Sequence, residues 1–197
     1  MYNIIAESAE YTVVSEYEHA VSTSEAYQSE AELEKEFIRL LGEQGYEYLP
    51  IHTEADLVSN LRTSLGKLNG YHFTDNEWEH FFNECIANKN DDIVAKTARI
   101  QEDYIQVLKR DNGESRNIYL IDKKNIHNNF VQVINQYVEE GGNYDTRYDV
   151  TVLVNGLPLV HIELKRRGVQ LKEAFNQINR YQRDSFWAGS GLYEYVQ

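Results

Sequence analysis

The sequence predicts an α/β fold in which helices pack around a sheet, and three observations carry that reading. Between residues 29 and 86, apolar residues recur at helical spacing behind two capping-box starts. From Asn117 to Leu164 the period falls to two, as strands require. After Gly168 a helical pattern returns. At 197 residues, the chain fits one domain, 1–197, able to bury a core without disulfides.

The first helix opens at Ser29 with Glu32 in capping-box position, carries Leu33, Phe37, Leu40 and Leu41 on one stripe, and stops at Gly45. A second is predicted over Ala55–Leu65, ending before Asn69 and Gly70. A third starts with Thr74 and Glu77, again a capping box, ahead of Trp78, Phe81, Phe82, Cys85 and Ile86. Residues 50 to 110 therefore read as a mostly helical insertion. "NIYLI", "FVQVINQYV", "YDVTVLV" and "LPLVHIEL" read as strands, and "LKEAFNQINRYQRDSFW" as a helix with Leu171, Ala174, Phe175 and Ile178 at core spacing. On the polar side of that helix Lys172, Asn176, Arg180 and Arg183 share an arc, with Gln177 and Tyr181 one turn apart beside it. The closing "GLYEYVQ" begins a strand-like pattern and stops, which is expected to be a cut just before a further core strand of a longer protein.

Cys85 is the only cysteine, and the acidic N-terminus lacks the basic and apolar regions of a signal peptide, which reads as a cytoplasmic protein. No apolar run is long enough to span a bilayer. The net charge of −13 argues against a uniform nucleic-acid surface. It is unevenly spread, however: residues 1–60 carry a net −11, whereas residues 161–184 carry a net +3. A basic face survives on an acidic body.

Within "RYDVTVLVNGLPLVHIELKRR" two strands carry charge where a core is expected. Alternation puts Val150, Val152 and Val154 on one face and Asp149 on the other; in the second strand Val160, Ile162 and Leu164 oppose His161, Glu163 and Lys165. If the valine-rich faces share the core, a plain two-residue Asn155-Gly156 hairpin has the wrong parity, pairing Asp149 with Ile162. An odd loop, or a bulge using Gly156 at positive φ, corrects it and brings Asp149, Glu163 and Lys165 together. Two carboxylates so close repel, and one lysine offsets this only in part, so a divalent cation is expected, with oxygen ligands suiting Mg²⁺ or Mn²⁺. Such a site supports metal-assisted phosphodiester hydrolysis. A bare D…ExK spacing is nonetheless short and built from common surface residues.

The stretch "RYDVTVLVNGLPLVHIELKRRG", followed by "AFNQINRYQRDSF", resembles the nuclease region of the R (motor) subunit of type I restriction enzymes, members of the PD-(D/E)xK superfamily. "YQSEAELEKEFIRLLGEQGYEYL", "NIYLIDKKN" and "LNGYHFTDNEWEHF" extend the likeness over nearly the whole chain. The resemblance implies a restriction-endonuclease-like core, a mixed central sheet flanked by helices, and a DNA endonuclease activity. Asp149, Glu163 and Lys165 match the catalytic positions, with the Leu164 carbonyl joining Asp149 and Glu163 on the metal. Gln177 and Tyr181 match the QxxxY motif that supports the site and the DNA. A helix acid often completes such sites, and both Glu32 and Glu36 are candidates. Implied partners are double-stranded DNA and the modification and specificity subunits.

Family members also contain an ATP-dependent translocase, but "SLGKLNG" lacks the pattern of a phosphate loop, so ATP is expected only in a longer subunit. The competing reading is a DNA-docking or assembly module that keeps a nuclease fold. Lys172, Arg180 and Arg183 are candidate phosphate contacts. His80, Glu84 and Cys85 read as an ordinary amphipathic helix, not a metal cluster, and His161 as polar lining.

Overall fold

The computed structural model describes residues 4–7, 12–14, 29–139, 146–166, 171–181 and 191–196, with only the backbone given at 4–7, 12–14, 139, 146, 171, 180 and 181. Arg183 lies outside the described residues. The order is β1 (Ile4–Glu7), β2 (Thr12–Val14), α1 (Glu30–Glu43), β3 (Glu47–Tyr48), α2 (Glu54–Asn69), α3 (Asp75–Phe81), α4 (Ile93–Gln101), β4 (Ile105–Lys109), β5 (Ser115–Tyr119), β6 (Val131–Glu139), β7 (Thr146–Val154), β8 (Leu157–Ile162) and α5 (Leu171–Tyr181).

The helix starts form where local side-chain chemistry dictates. Ser29 and Thr74 each accept a hydrogen bond from the N–H three residues on, and Glu32 and Glu77 reciprocate. Thr53 caps α2, whose Leu57, Leu61 and Leu65 recur at four-residue spacing and are all fully buried. A left-handed Gly70 ends it. Helices occupy residues 54 to 101 of the expected insertion, and α4 begins at an Asp92 cap. A π-helical turn, Phe82–Ile86, extends α3.

The central sheet is mixed, in the order β3-β6-β7-β8, with β3 parallel to β6 and the rest antiparallel. Both of its faces are covered. On one, Val133 and Val150 pack with Leu41, Phe37 and Ile38 of α1 and with Ile162 and Leu164. On the other, Ile134, Leu153 and Leu157 join the larger core with α2, α3, Ile100 and the C-terminal Tyr193 and Tyr195. The expectation that the valine-rich faces form the core is thus only half right. They fill the smaller cluster, Val160 is 46% exposed, and the face bearing the carboxylates adjoins the larger core.

"NIYLI" falls largely on strand β5, which pairs with β4 in a separate two-stranded hairpin. Two further expectations change. The "GLYEYVQ" segment is a 3-10 turn over Leu192–Tyr195, not a strand. Aromatic packing outweighs its alternation: Tyr193 stacks on Tyr148 at 4.4 Å and Tyr137 at 4.7 Å, while the Tyr195 hydroxyl donates to Ile86 O at 2.8 Å. Finally, the β7-β8 hairpin has a plain two-residue turn, Val154 pairing with Leu157, and its bulge lies elsewhere.

Candidate active site

Asn155 and Gly156 both have positive φ, 52° and 86°, as a tight hairpin turn requires. Asn155 is locked there: its amide donates to Leu120 O and Asn129 Oδ1, and its Oδ1 accepts from Phe130 N. Gly156 presses on α2 so closely that a Cβ would lie 2.5 Å from Leu61 Cα. Two-residue pairing holds for Val154–Leu157 and Leu153–Pro158; then one residue, Leu159, is skipped, and Val152 faces Val160. From there Thr151 faces His161 and Val150 faces Ile162. The parity needed to bring Asp149 beside Glu163 is achieved, through a bulge at Leu159 instead of Gly156.

The end of the hairpin carries the three expected residues together. Leu164 N–H donates to Asp149 Oδ2 at 3.0 Å, tying the first carboxylate to the backbone between the other two. Lys165 Nζ lies 2.6 Å from Glu163 Oε1, and His161 Nε2 lies 3.5 Å from Glu163 Oε2. The side chains of Glu163 and His161 are 1% and 2% exposed, and that of Lys165 17%. Glu163 is therefore no solvent-facing strand residue, and its buried Oε2 makes no hydrogen bond.

The charges respond as a coupled set. Burial pushes Asp149 above the usual carboxylate range, and the Glu163 charge adds to this, with the Leu164 N–H opposing. Burial also pushes Glu163 upward, but His161 and Lys165 together outweigh it and hold it low. Desolvation would lower Lys165; its ion pair with Glu163 prevails and raises it. Lys165 is thus a firmly held cation.

The helix acids expected near the site are engaged elsewhere. Glu32 closes the Ser29 cap, and Glu36 binds Arg39 at 2.7 Å. The α1 residue that approaches is Glu30, which accepts from Arg166 N at 3.4 Å and whose charge acts on Lys165. Glu34, also on α1, accepts from Asn135 Nδ2 at 2.6 Å and from Gln136 Nε2. Gln136 has a φ of 51° and lies between Asn135 and Tyr137, which pair with Val150 and Tyr148 on either side of Asp149. No sequence signal marks either contact, because helix rotation and a left-handed strand residue are set by packing.

Gln177 is half-buried on α5, and Lys172 is exposed. The Tyr181, Arg180 and Arg183 side chains lie outside the described residues. His80 Nδ1 lies 2.8 Å from Asn76 O, and Cys85 Sγ lies 4.0 Å from Val107 O. Among the described residues no group of three His, Cys, Asp or Glu is gathered for a metal, and no helix is long and apolar enough to cross a membrane.

Residues 27–197 match the family model for the type I restriction enzyme R protein N terminus. The chain is 45% identical over 194 residues to the EcoprrI type I restriction enzyme endonuclease subunit of Escherichia coli, covering 98% of this chain and 62% of that protein. It is 40% identical over 176 residues to the SsaAORF53P endonuclease subunit of Staphylococcus saprophyticus, and 41% over 179 residues to the SauCOLORF180P subunit of Staphylococcus aureus. Each staphylococcal match covers 87% of this chain and 18% of the relative. With a mixed sheet flanked by helices and this match over most of its length, the chain belongs to the family of type I restriction enzyme R protein N termini.

Proposed function

We infer that this chain is the nuclease module of a type I restriction enzyme R subunit, a single endonuclease domain hydrolysing DNA phosphodiester bonds at Asp149, Glu163 and Lys165. The observation that carries the reading is the buried Glu163, one oxygen held by Lys165 and the other without a hydrogen bond, beside an Asp149 anchored through the backbone.

The donor set fits a small hard cation. Mg²⁺ and Mn²⁺ sites commonly use one or two carboxylates and keep several waters, so two carboxylates and the Leu164 carbonyl suffice. Glu163 Oε2 and the second oxygen of Asp149 are the atoms left to bind it. Bound there, the ion supplies Lewis-acid charge at a phosphate oxygen and lowers the pKa of a water.

The protein's own groups do the rest. Asp149 and Glu163 fix the site's position on the sheet end. Lys165, held protonated by Glu163, acts as a cation that orients the attacking water or stabilises negative charge developing on the phosphate, not as a general base. Gln177 and Tyr181 support the carboxylates or the DNA, and Lys172, Arg180 and Arg183 contact phosphates.

In this reading the substrate is double-stranded DNA in the cytoplasm, delivered by an ATP-driven translocase within the longer subunit and by the modification and specificity subunits. With a net charge of −13, the isolated chain binds DNA weakly and cleaves it little. The test is Lys165→Ala in the full-length subunit within its complex: DNA cleavage is lost while ATP hydrolysis continues. Cleavage at the wild-type rate would overturn the assignment.

A further inference from the structure

We propose that His161 is a positioning residue for Glu163, fixing the direction in which the Glu163 carboxylate presents its free oxygen. The inference rests on the metal-dependent reading above and adds a residue to it.

The two oxygens of Glu163 meet different neighbours. Lys165 Nζ holds Oε1 at 2.6 Å, whereas His161 Nε2 stands 3.5 Å from Oε2. The lysine pair alone would leave the carboxylate free to turn about its last torsion, which is broad and roughly two-fold. The imidazole on the other side removes that freedom. Its distance is too long for a strong hydrogen bond, so Oε2 keeps capacity for a further ligand.

His161 can serve this purpose because it is itself immobilised. It faces Thr151 across the hairpin and meets the Tyr148 ring edge-to-face at 5.1 Å. Tyr148 stacks on Tyr193 at 4.4 Å, and the Tyr193 hydroxyl is 3.0 Å from Thr151 Oγ1. Sheet, aromatic stack and C-terminal turn thus converge on one buried imidazole. Groups of this kind, outside the ligand set but orienting it, typically change metal affinity by about 10–100-fold when removed.

The amide nitrogen of a glutamine falls near the place of a histidine Nε2, and that of an asparagine near Nδ1. Titration calorimetry with Mn²⁺ on this chain, without DNA, therefore separates position from mere polarity. His161→Gln should bind Mn²⁺ within about threefold of wild type, while His161→Phe, which keeps the ring volume, and His161→Asn, which keeps an amide but falls short, should bind at least about tenfold more weakly. Circular dichroism and melting establish that each variant is folded; if His161→Phe is not, the glutamine–asparagine difference decides alone. Wild-type affinity in a folded His161→Phe, or equal affinities for the glutamine and asparagine variants, overturns the inference and leaves the metal reading standing. Absence of Mn²⁺ binding by the wild-type chain overturns the metal reading, and this inference with it.

Discussion

The backbone N–H of Leu164 donates to Asp149 Oδ2 at 3.0 Å, so one hydrogen bond sets the position of the first carboxylate relative to the two charged residues that flank the donor. This bond survives if the charge is removed, because an asparagine presents the same acceptor.

That property gives a signed prediction for Asp149→Asn. Burial first, and then Glu163, raise the folded-state pKa of Asp149. The folded state therefore binds the proton more tightly than the unfolded chain. Its contribution is full below the unfolded value of ~3.9 and is lost as pH rises through the raised folded pKa. At pH 7 the ionised Asp149 is a net cost, and Asp149→Asn should raise Tm by on the order of 3 °C, a gain that fades in strong acid. Thermal melts at both ends of the range check it; no gain at neutral pH contradicts the pKa direction.

Lys165 has the opposite character, since it stabilises the buried Glu163. Lys165→Met should cost on the order of 2 kcal/mol at pH 7 by stranding that carboxylate. Glu163 is held low, so its favourable contribution is present above the unfolded carboxylate range and lost as pH falls through the folded pKa. Without Lys165 this loss should begin at higher pH. Adding Glu163→Gln to Lys165→Met should restore most of the stability; denaturant titrations showing simple additivity would contradict the pairing.

The turn is equally exposed to test. Gly156→Ala forces a Cβ against the α2 backbone at positive φ, and should destabilise the fold by about 1–3 kcal/mol. Because the hairpin carries both carboxylates, Mn²⁺ affinity should fall as well. A stable variant with unchanged affinity would show that the hairpin tip does not position the site.

Remote from the site, the fully buried Lys96 pairs with Glu194 and joins α4 to the C-terminal turn. Lys96→Met alone should cost about 3–5 kcal/mol, whereas Lys96→Met with Glu194→Leu should regain most of it. Chemical denaturation distinguishes the two outcomes.

What the sequence discloses is what local chemistry controls. The Ser29 and Thr74 capping boxes form as their spacing demands, and strand parity correctly brings Asp149 beside Glu163. What it conceals depends on distant partners. The bulge could sit at Leu159 or at the turn with the same effect on parity, and the tight turn observed goes with the close approach of Gly156 to α2 and the hydrogen bonds of Asn155 to Leu120, Asn129 and Phe130. Residues 192–195 alternate like a strand, but Tyr137 and Tyr148 offer Tyr193 a ring stack, and Ile86 O accepts from the Tyr195 hydroxyl. The engagement of Glu32 and Glu36 is hidden for a related reason: Glu32 serves its own cap and Glu36 its own arginine, while the charge of Glu30 acts on Lys165.

The central claim is that Asp149 and Glu163 share one divalent cation, and anomalous diffraction from a crystal soaked in Mn²⁺ tests it most directly. The account predicts a peak bonded to one oxygen of each carboxylate at roughly 2.0–2.2 Å, absent from crystals of Asp149→Asn. Well-ordered carboxylates with no peak between them, or a peak that persists in Asp149→Asn, would contradict it.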